Sequence, residues 1–334
     1  MKSKKKRKAI VTGGGGFIGS HLVERLLKEK NKVIVLDNFS TGRPQNLERL
    51  KSDKDLEIVK IDIADSSRIR KYFKGVNWVF HLAGIADIIP SINNPLLYHH
   101  SNVDGTISVL EAARLGGVER FVYAASSSCY GIPKQVPTPE TAAIAPRYPY
   151  ALTKYIGESY ALYWGKIYKL PVLSLRLFNV YGTRSRTTGA YGAVFGVFLA
   201  QKLKKRPFTV VGDGSQTRDF TYVSDVVNAF ILAAKSSSQQ EVFNVGSGNC
   251  YSVNYLAQLL GGSKIFIPKR PGEPDCTQAD TSKIRKILGW KAGVSFEEGV
   301  GIILENIDYW KDAPLWTPEK IKKATTDWFH YIKE

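Results

Sequence analysis

The feature that most constrains this chain is a glycine-dense turn between a short apolar run and a helix-forming run. Residues 9–12, Ala-Ile-Val-Thr, read as a buried strand, Gly13-Gly-Gly-Gly16-Phe-Ile-Gly19 as a tight turn, and residues 17–28 as a helix. Glycines there let the backbone approach a pyrophosphate, whose charge the N–H groups at the following helix N-terminus can meet. A glycine-rich loop alone is a weak signal; strand, turn and helix in this order are what a dinucleotide site requires. The spacing is Gly-x-x-Gly-x-x-Gly in place of Gly-x-Gly-x-x-Gly, which narrows the choice among such folds.

Further apolar runs at 32–36, 56–61, 77–82, 120–125 and 172–177 read as strands, with the long helices at 93–115 and 149–168. Strands alternating with helices predict an α/β fold, a Rossmann-type, doubly wound parallel sheet. After Asn179 the pattern loosens into Gly/Pro-marked loops around helices near 193–204 and 223–234, a smaller interrupted lobe. There is no internal repeat. The last thirty residues carry Trp310, Trp316, Trp328 and Phe329, rings expected to cap that lobe by being buried.

Asp37, ending the second strand, can accept both ribose hydroxyls of a dinucleotide and would repel a 2′-phosphate, which favours NAD over NADP. The competing reading is a plain βα turn with a surface Asp. Asp62-Ile63 is placed to meet the adenine, and His81-Leu-Ala-Gly84 to line the cofactor, with His81 itself hydrogen-bonded in the core.

Of the net charge of +17, Lys2, Lys4, Lys5, Lys6, Arg7 and Lys8 supply six. The rest could attract nucleic acid or an anionic small substrate; a solvated, Lys-rich surface is the expected reading, because aromatic residues do not interleave with the basic ones. Cys129, Cys250 and Cys276 are scattered and never in Cys-x-x-Cys, so neither a disulfide framework nor a zinc site is indicated. No apolar run is long enough to span a bilayer. The basic start runs into glycines and not into an apolar stretch, so no signal peptide is expected and a cytoplasmic location is.

Tyr150-Ala-Leu-Thr-Lys154 can place a phenol and an ammonium on one helical face. The Lys charge would then favour a phenolate over a phenol of pKa ~10, giving a usable base. An ordinary aromatic beside a solvated Lys fits the spacing equally. Tyr130-Gly-Ile-Pro-Lys134 has the same spacing, but Gly131 and Pro133 break any helix.

Together Gly13/Gly16/Gly19, Asp37-Asn38, Asp62-Ile63, Ser126…Tyr130-Gly131, Tyr150/Lys154, Arg176-Leu-Phe-Asn179 and Arg218-Asp219-Phe220 resemble the extended short-chain dehydrogenase/reductase family of NAD-dependent epimerases and dehydratases. The resemblance runs from about Lys8 to Gly301 and is greatest to UDP-N-acetylglucosamine and UDP-glucose 4-epimerases. It implies a catalytic triad of Ser126, Tyr150 and Lys154. It implies NAD contacts from Gly13, Gly16, Phe17, Ile18, Gly19, Asp37, Asn38, Ser40, Thr41, Gly42, Asp62, Ile63, Leu82, Ala83, Ala86, Asn102 and Phe178, besides Tyr150 and Lys154. Substrate contacts fall on Ser126, Ser127, Ser128, Asn179, Val194, Arg218, Arg270, Glu273 and Thr277. Residues 1–178 would form the NAD-binding domain, with segments near 221–247 returning to it, and 179–334 mainly the nucleotide-sugar lobe.

Family dehydratases carry Asp-Glu where Ser127 and Ser128 stand, so elimination lacks its acid and base, and decarboxylases carry Glu at the second position, which counts against them as well. Ser-Ser-Ser before Cys-Tyr-Gly is similar to the 4-epimerases, and residues 37–42 and 189–194 to those acting on UDP-N-acetylhexosamines. Arg218 and Arg270 match the UDP diphosphate clamp. Thr277 matches a position where a bulky Tyr excludes an N-acetyl group. Ala86 stands where some members have a Lys on the nicotinamide ribose. The expectation is a UDP-hexose or UDP-N-acetylhexosamine 4-epimerase, and a homodimer. Alternatives are a UDP-glucuronate 4-epimerase using Arg184 or Arg186, a ketoreductase or dehydrogenase, and a non-enzymatic nucleotide- or RNA-binding member.

Overall fold

The structure, a computed structural model, describes residues 6–185 and 193–332. Seven strands form the central sheet: β1 (Lys8–Thr12), β2 (Lys32–Asp37), β3 (Leu56–Lys60), β4 (Trp78–His81), β5 (Arg120–Ser126), β6 (Val172–Leu177) and, from late in the chain, residues Glu241–Val245. All are parallel. Between β6 and that late strand come β7 (Asn179–Tyr181), β8 (Phe208–Val211), β9 (Thr217–Arg218) and β10 (Phe220–Tyr222), so the late strand is β11. The order is β11-β6-β5-β4-β1-β2-β3, with the reversal between β1 and β4, where such sheets open a crevice beyond the carboxyl ends of their strands.

The inner strands are covered on both faces, which accounts for their near-continuous apolar sequence, whereas the edge strand β3 exposes Glu57 and Lys60. Ala9, Val11, Phe80 and Val122 pack under the helices Phe17–Lys28 and Val223–Lys235. Ile10, Val79, Phe121 and Tyr123 point the other way, onto the helices Gly105–Leu115 and Pro149–Tyr168. Gly157 does not interrupt the latter helix, and a Cβ there would collide with the Tyr123 hydroxyl, which accounts for a glycine at this position.

The helix read over 93–115 is not uniform. A first helix, Ile88–Asn93, ends before Pro95; a second, Pro95–His99, runs through a π turn at His100–Asp104 into Gly105–Leu115. The smaller lobe has its own core, with Phe195, Phe198, Phe208, Phe220 and Phe296 at its centre. Its short strands are β12 (Tyr251–Ser252), β13 (Lys264–Ile267) and β14 (Cys276–Thr277), with β9 between β12 and β14. Of the tail rings, Trp310 and Trp328 are buried in this core and Trp316 packs against it, whereas Phe329 stands exposed. Among the described residues no helix is long and apolar enough to cross a membrane.

Candidate active site

One cleft of about 680 Å³ runs from the carboxyl ends of β1, β2 and β4 into the smaller lobe. Its floor is bare backbone. Gly13 has φ +69°, and a Cβ there would lie 2.7 Å from the Ala83 nitrogen, so the turn admits no side chain. Gly16 caps the helix Phe17–Lys28 without a side-chain partner, leaving the first helical N–H groups toward the cleft. At the rim of β2, Asp37 is buried, and each oxygen accepts one backbone bond, from Gly15 N at 2.8 Å and Phe39 N at 2.7 Å. Burial pushes its pKa up and those two bonds pull it back. A carboxylate offers about four acceptor sites, so two remain for ribose hydroxyls. Gly42 passes so close that a Cβ would meet the Asp37 carboxylate. A small-residue cradle around one acid, facing a helix N-terminus, fits an adenine dinucleotide.

Behind the loop after β4, hydrogen bonds settle the state of His81. Thr106 Oγ1 donates to the Asn102 carbonyl at 2.6 Å, so toward His81 Nε2, 2.9 Å away, it accepts. Nε2 therefore carries the proton, and Nδ1 accepts from Thr12 Oγ1 at 2.7 Å. Thr12 in turn accepts from Ala83 N. His81 is sealed and neutral, and burial drops its pKa to about 3. Asn102 does not line the cleft: it clamps Ile85 from both sides, accepting from its N at 2.8 Å and donating to its O at 3.0 Å.

The reacting hydroxyls come from β5 and the helix Pro149–Tyr168. Ser126 ends β5, and its Oγ accepts from Ser128 N and Ser128 Oγ, the latter at 2.9 Å. Tyr150 enters one residue after Pro149, whose fixed φ suits a first helical position. Burial raises the Tyr150 pKa, and a hydrogen bond with Ser126 opposes that. Lys154 does not line the cleft. Its Nζ lies 4.4 Å over the Tyr123 ring, and burial lowers its own pKa to about 7, against the pull of Glu158. Burial thus favours the neutral form of both Tyr150 and Lys154.

At the far end, Arg218 and Arg270 converge on one carboxylate, Glu273, at 3.0 Å and 2.9 Å. Asn179 donates to Thr277 Oγ1 at 2.9 Å. Ser127, Ser128, Phe178 and Val194 line the cleft, as do Asn38, Ser40, Thr41, Asp62, Ile63, Leu82 and Ala86. Arg184 is turned away, paired with Glu24 at 2.5 Å. Arg186 and Gly189 to Gly192 lie outside the described residues.

Two cleft residues escape motif reading. Tyr148, with its ring 6.3 Å from Tyr150 and nearly parallel, bridges the Ser126 end to Trp328, 6.2 Å away. Trp328, on the tail helix Thr326–Tyr331, donates to the Pro271 carbonyl at 2.8 Å and underlies the Arg270 guanidinium at 5.3 Å. The only sequence trace of either is an aromatic residue beside a motif or in a basic tail.

Comparison with known proteins resolves the family. The family model for the NAD-dependent epimerase/dehydratase family matches residues 9–246. This chain belongs to that family. UDP-glucose 4-epimerase of Mycolicibacterium smegmatis is 36% identical over 307 residues, covering 89% of this chain and 97% of that one. UDP-N-acetylglucosamine 4-epimerase of Methanobrevibacter ruminantium, solved with UDP-N-acetylmuramic acid, superposes with TM-score 0.85 at 32% identity, over 91% of this chain and 100% of that chain. UDP-glucuronic acid 4-epimerase of Bacillus cereus, solved with UDP-glucuronic acid and NAD, gives TM-score 0.83 at 31% identity, over 91% and 99%. The cofactor of this epimerase/dehydratase family member is NAD. Three different sugars at nearly equal similarity leave its substrate to the cleft's own chemistry.

Proposed function

We propose that this chain is a nucleotide-sugar 4-epimerase that inverts C4 of a UDP-hexose or UDP-N-acetylhexosamine through a 4-keto sugar. The observation that carries the reading is that the Ser126 and Tyr150 hydroxyls line the same cleft as the Asp37 cradle and the Arg218/Arg270 pair. NAD, when bound, accepts the C4 hydride and returns it. Tyr150 takes the proton of the 4-hydroxyl and gives it back, while Ser126 holds that oxygen. Lys154, when protonated, would place a positive charge behind Tyr150 and favour its phenolate. Arg218 and Arg270 hold the diphosphate, a site remote from C4, so the ketone can turn over about its tether. Ser127 and Ser128 offer no ionisable side chain, which supports redox exchange over elimination. Thr277 leaves room for an N-acetyl group.

UDP-glucuronate is the second reading. Arg147 lines the cleft beside Gly272, a cation suited to a carboxylate, although Arg184 is committed to Glu24. A homodimer in a reducing cytoplasm belongs to the same proposal: Leu96, Leu152, Tyr163 and Ile167 stand exposed on the helices Pro95–His99 and Pro149–Tyr168 and offer a face for a second copy.

Purified protein is incubated with UDP-GlcNAc, UDP-Glc and UDP-GlcA, without reductant, and the products are read by NMR. Interconversion of one 4-epimer pair, abolished by Tyr150→Phe, is expected. Stoichiometric consumption of NAD with no epimer would identify a dehydrogenase and overturn the reading.

A further inference from the structure

The residue that joins the two ends of the chain is Tyr309, in the short 3₁₀ turn Ile307–Trp310. Its hydroxyl donates to Asn46 Oδ1 at 2.9 Å, across 263 positions of sequence. The same Asn46 amide donates from Nδ2 to the Gly15 carbonyl at 3.0 Å, and Arg43 N donates to that carbonyl at 2.9 Å. On its other side the Gly15 peptide gives its N–H to Asp37. The Arg43 guanidinium lies 4.9 Å over the Tyr309 ring, and neighbouring Trp310 is sealed in the small-lobe core. The segment 38–42, which lines the cleft beside Asp37, is thus anchored at one end by β2 and at the other by Arg43 and Asn46.

We infer that Tyr309 is a latch that holds this segment closed over the adenosine half of the cofactor and sets how fast NAD leaves. The inference rests on the dinucleotide reading of the cleft. Asn46 is buried, and its Oδ1 is turned to Tyr309 while its Nδ2 is turned to Gly15. Removing the phenol leaves a buried acceptor without its donor, so the amide loses its fixed orientation and its grip on Gly15. A dinucleotide seated against Asp37 and Asp62 must displace residues 38–42 to leave, and their stiffness then governs release. Tyr309 touches no reacting atom; it is a positioning residue. The latch also offers a source of retention in a chain that has Ala86 facing the cleft.

NADH is loaded into the wild type, Tyr309→Phe and the double variant Tyr309→Phe/Asn46→Ala, and release is followed by fluorescence on chase with excess NAD. Tyr309→Phe keeps the ring under Arg43, and its folding is verified by melting temperature. Dissociation about tenfold faster than wild type is expected, with no further acceleration in the double variant and with kcat at saturating NAD preserved. Equal release rates in wild type and Tyr309→Phe, or a further acceleration in the double variant, overturn the latch. A wild type that takes up no NADH at all overturns the dinucleotide reading beneath it.

Discussion

Glu158, on the helix that carries Tyr150 and Lys154, closes a salt bridge of 2.6 Å with Arg176 of β6, both side chains almost wholly out of solvent. Glu158 also accepts from Ser174 Oγ, and Arg176 reaches on to Tyr130, so β6, the helix and the turn after β5 share one polar knot. Removing one partner of a buried pair strands the other charge, at a cost of about 3–5 kcal/mol. Glu158→Gln is therefore expected to lower the urea midpoint strongly, and Glu158→Leu/Arg176→Met to recover much of the loss. A single variant within about 1 kcal/mol of wild type in equilibrium unfolding would contradict this.

Lys154 stores a pH-dependent instability. Its pKa falls from 10.5 to about 7 on folding. Between those values the unfolded chain holds a proton that the folded chain lacks, so stability rises with pH across that window. Below it the full penalty of burying the charge applies. Cofactor-free Lys154→Met should be inactive yet melt several degrees higher than wild type at about pH 6, with the gap narrowing toward pH 10. Differential scanning calorimetry at both ends checks it; a gap that does not change with pH would assign the effect to packing.

Trp328 supports Arg270 from a tail that carries no motif. Trp328→Phe removes the bond to Pro271 and thins the face beneath the guanidinium. We expect KM for the sugar nucleotide to rise about three- to tenfold, with kcat within a factor of two and NADH affinity unchanged. A fall in kcat alone would place Trp328 at the reacting end.

Thr277 tests the sugar. Thr277→Tyr fills the wall against which Asn179 now bonds. The ratio of kcat/KM for UDP-GlcNAc over UDP-Glc should fall at least about tenfold, measured side by side. An unchanged ratio would move the discriminating contact elsewhere in the cleft.

The sheet was legible because strands buried on both faces write themselves as apolar runs, and because Gly13 and Asp37 punctuate their ends. The π turn at His100–Asp104 was not, since one wider turn hardly disturbs a helical pattern. Tyr150 and Lys154 could be paired by spacing, but spacing does not reveal that Lys154 is sealed over the Tyr123 ring. Asn102 was read as a cofactor contact from the resemblance alone; that it also braces Ile85 depends on how the loop after β4 folds back. Tyr148, Trp328 and the Tyr309–Asn46 bond lie in tertiary contacts that no local pattern encodes.

β11 occupies an edge of the central sheet, yet it is made from residues Glu241–Val245, long after the glycine turn has been synthesised. Until those five residues emerge and Glu241 comes into register with Leu173, the edge of β6 not paired with β5 is an open template. The order of synthesis therefore leaves a nascent chain with its cofactor turn in hand and its sheet still open. The interval between β6 and β11, filled mostly by the smaller lobe, is when this protein is most exposed to chaperones and to its own neighbours on the polysome.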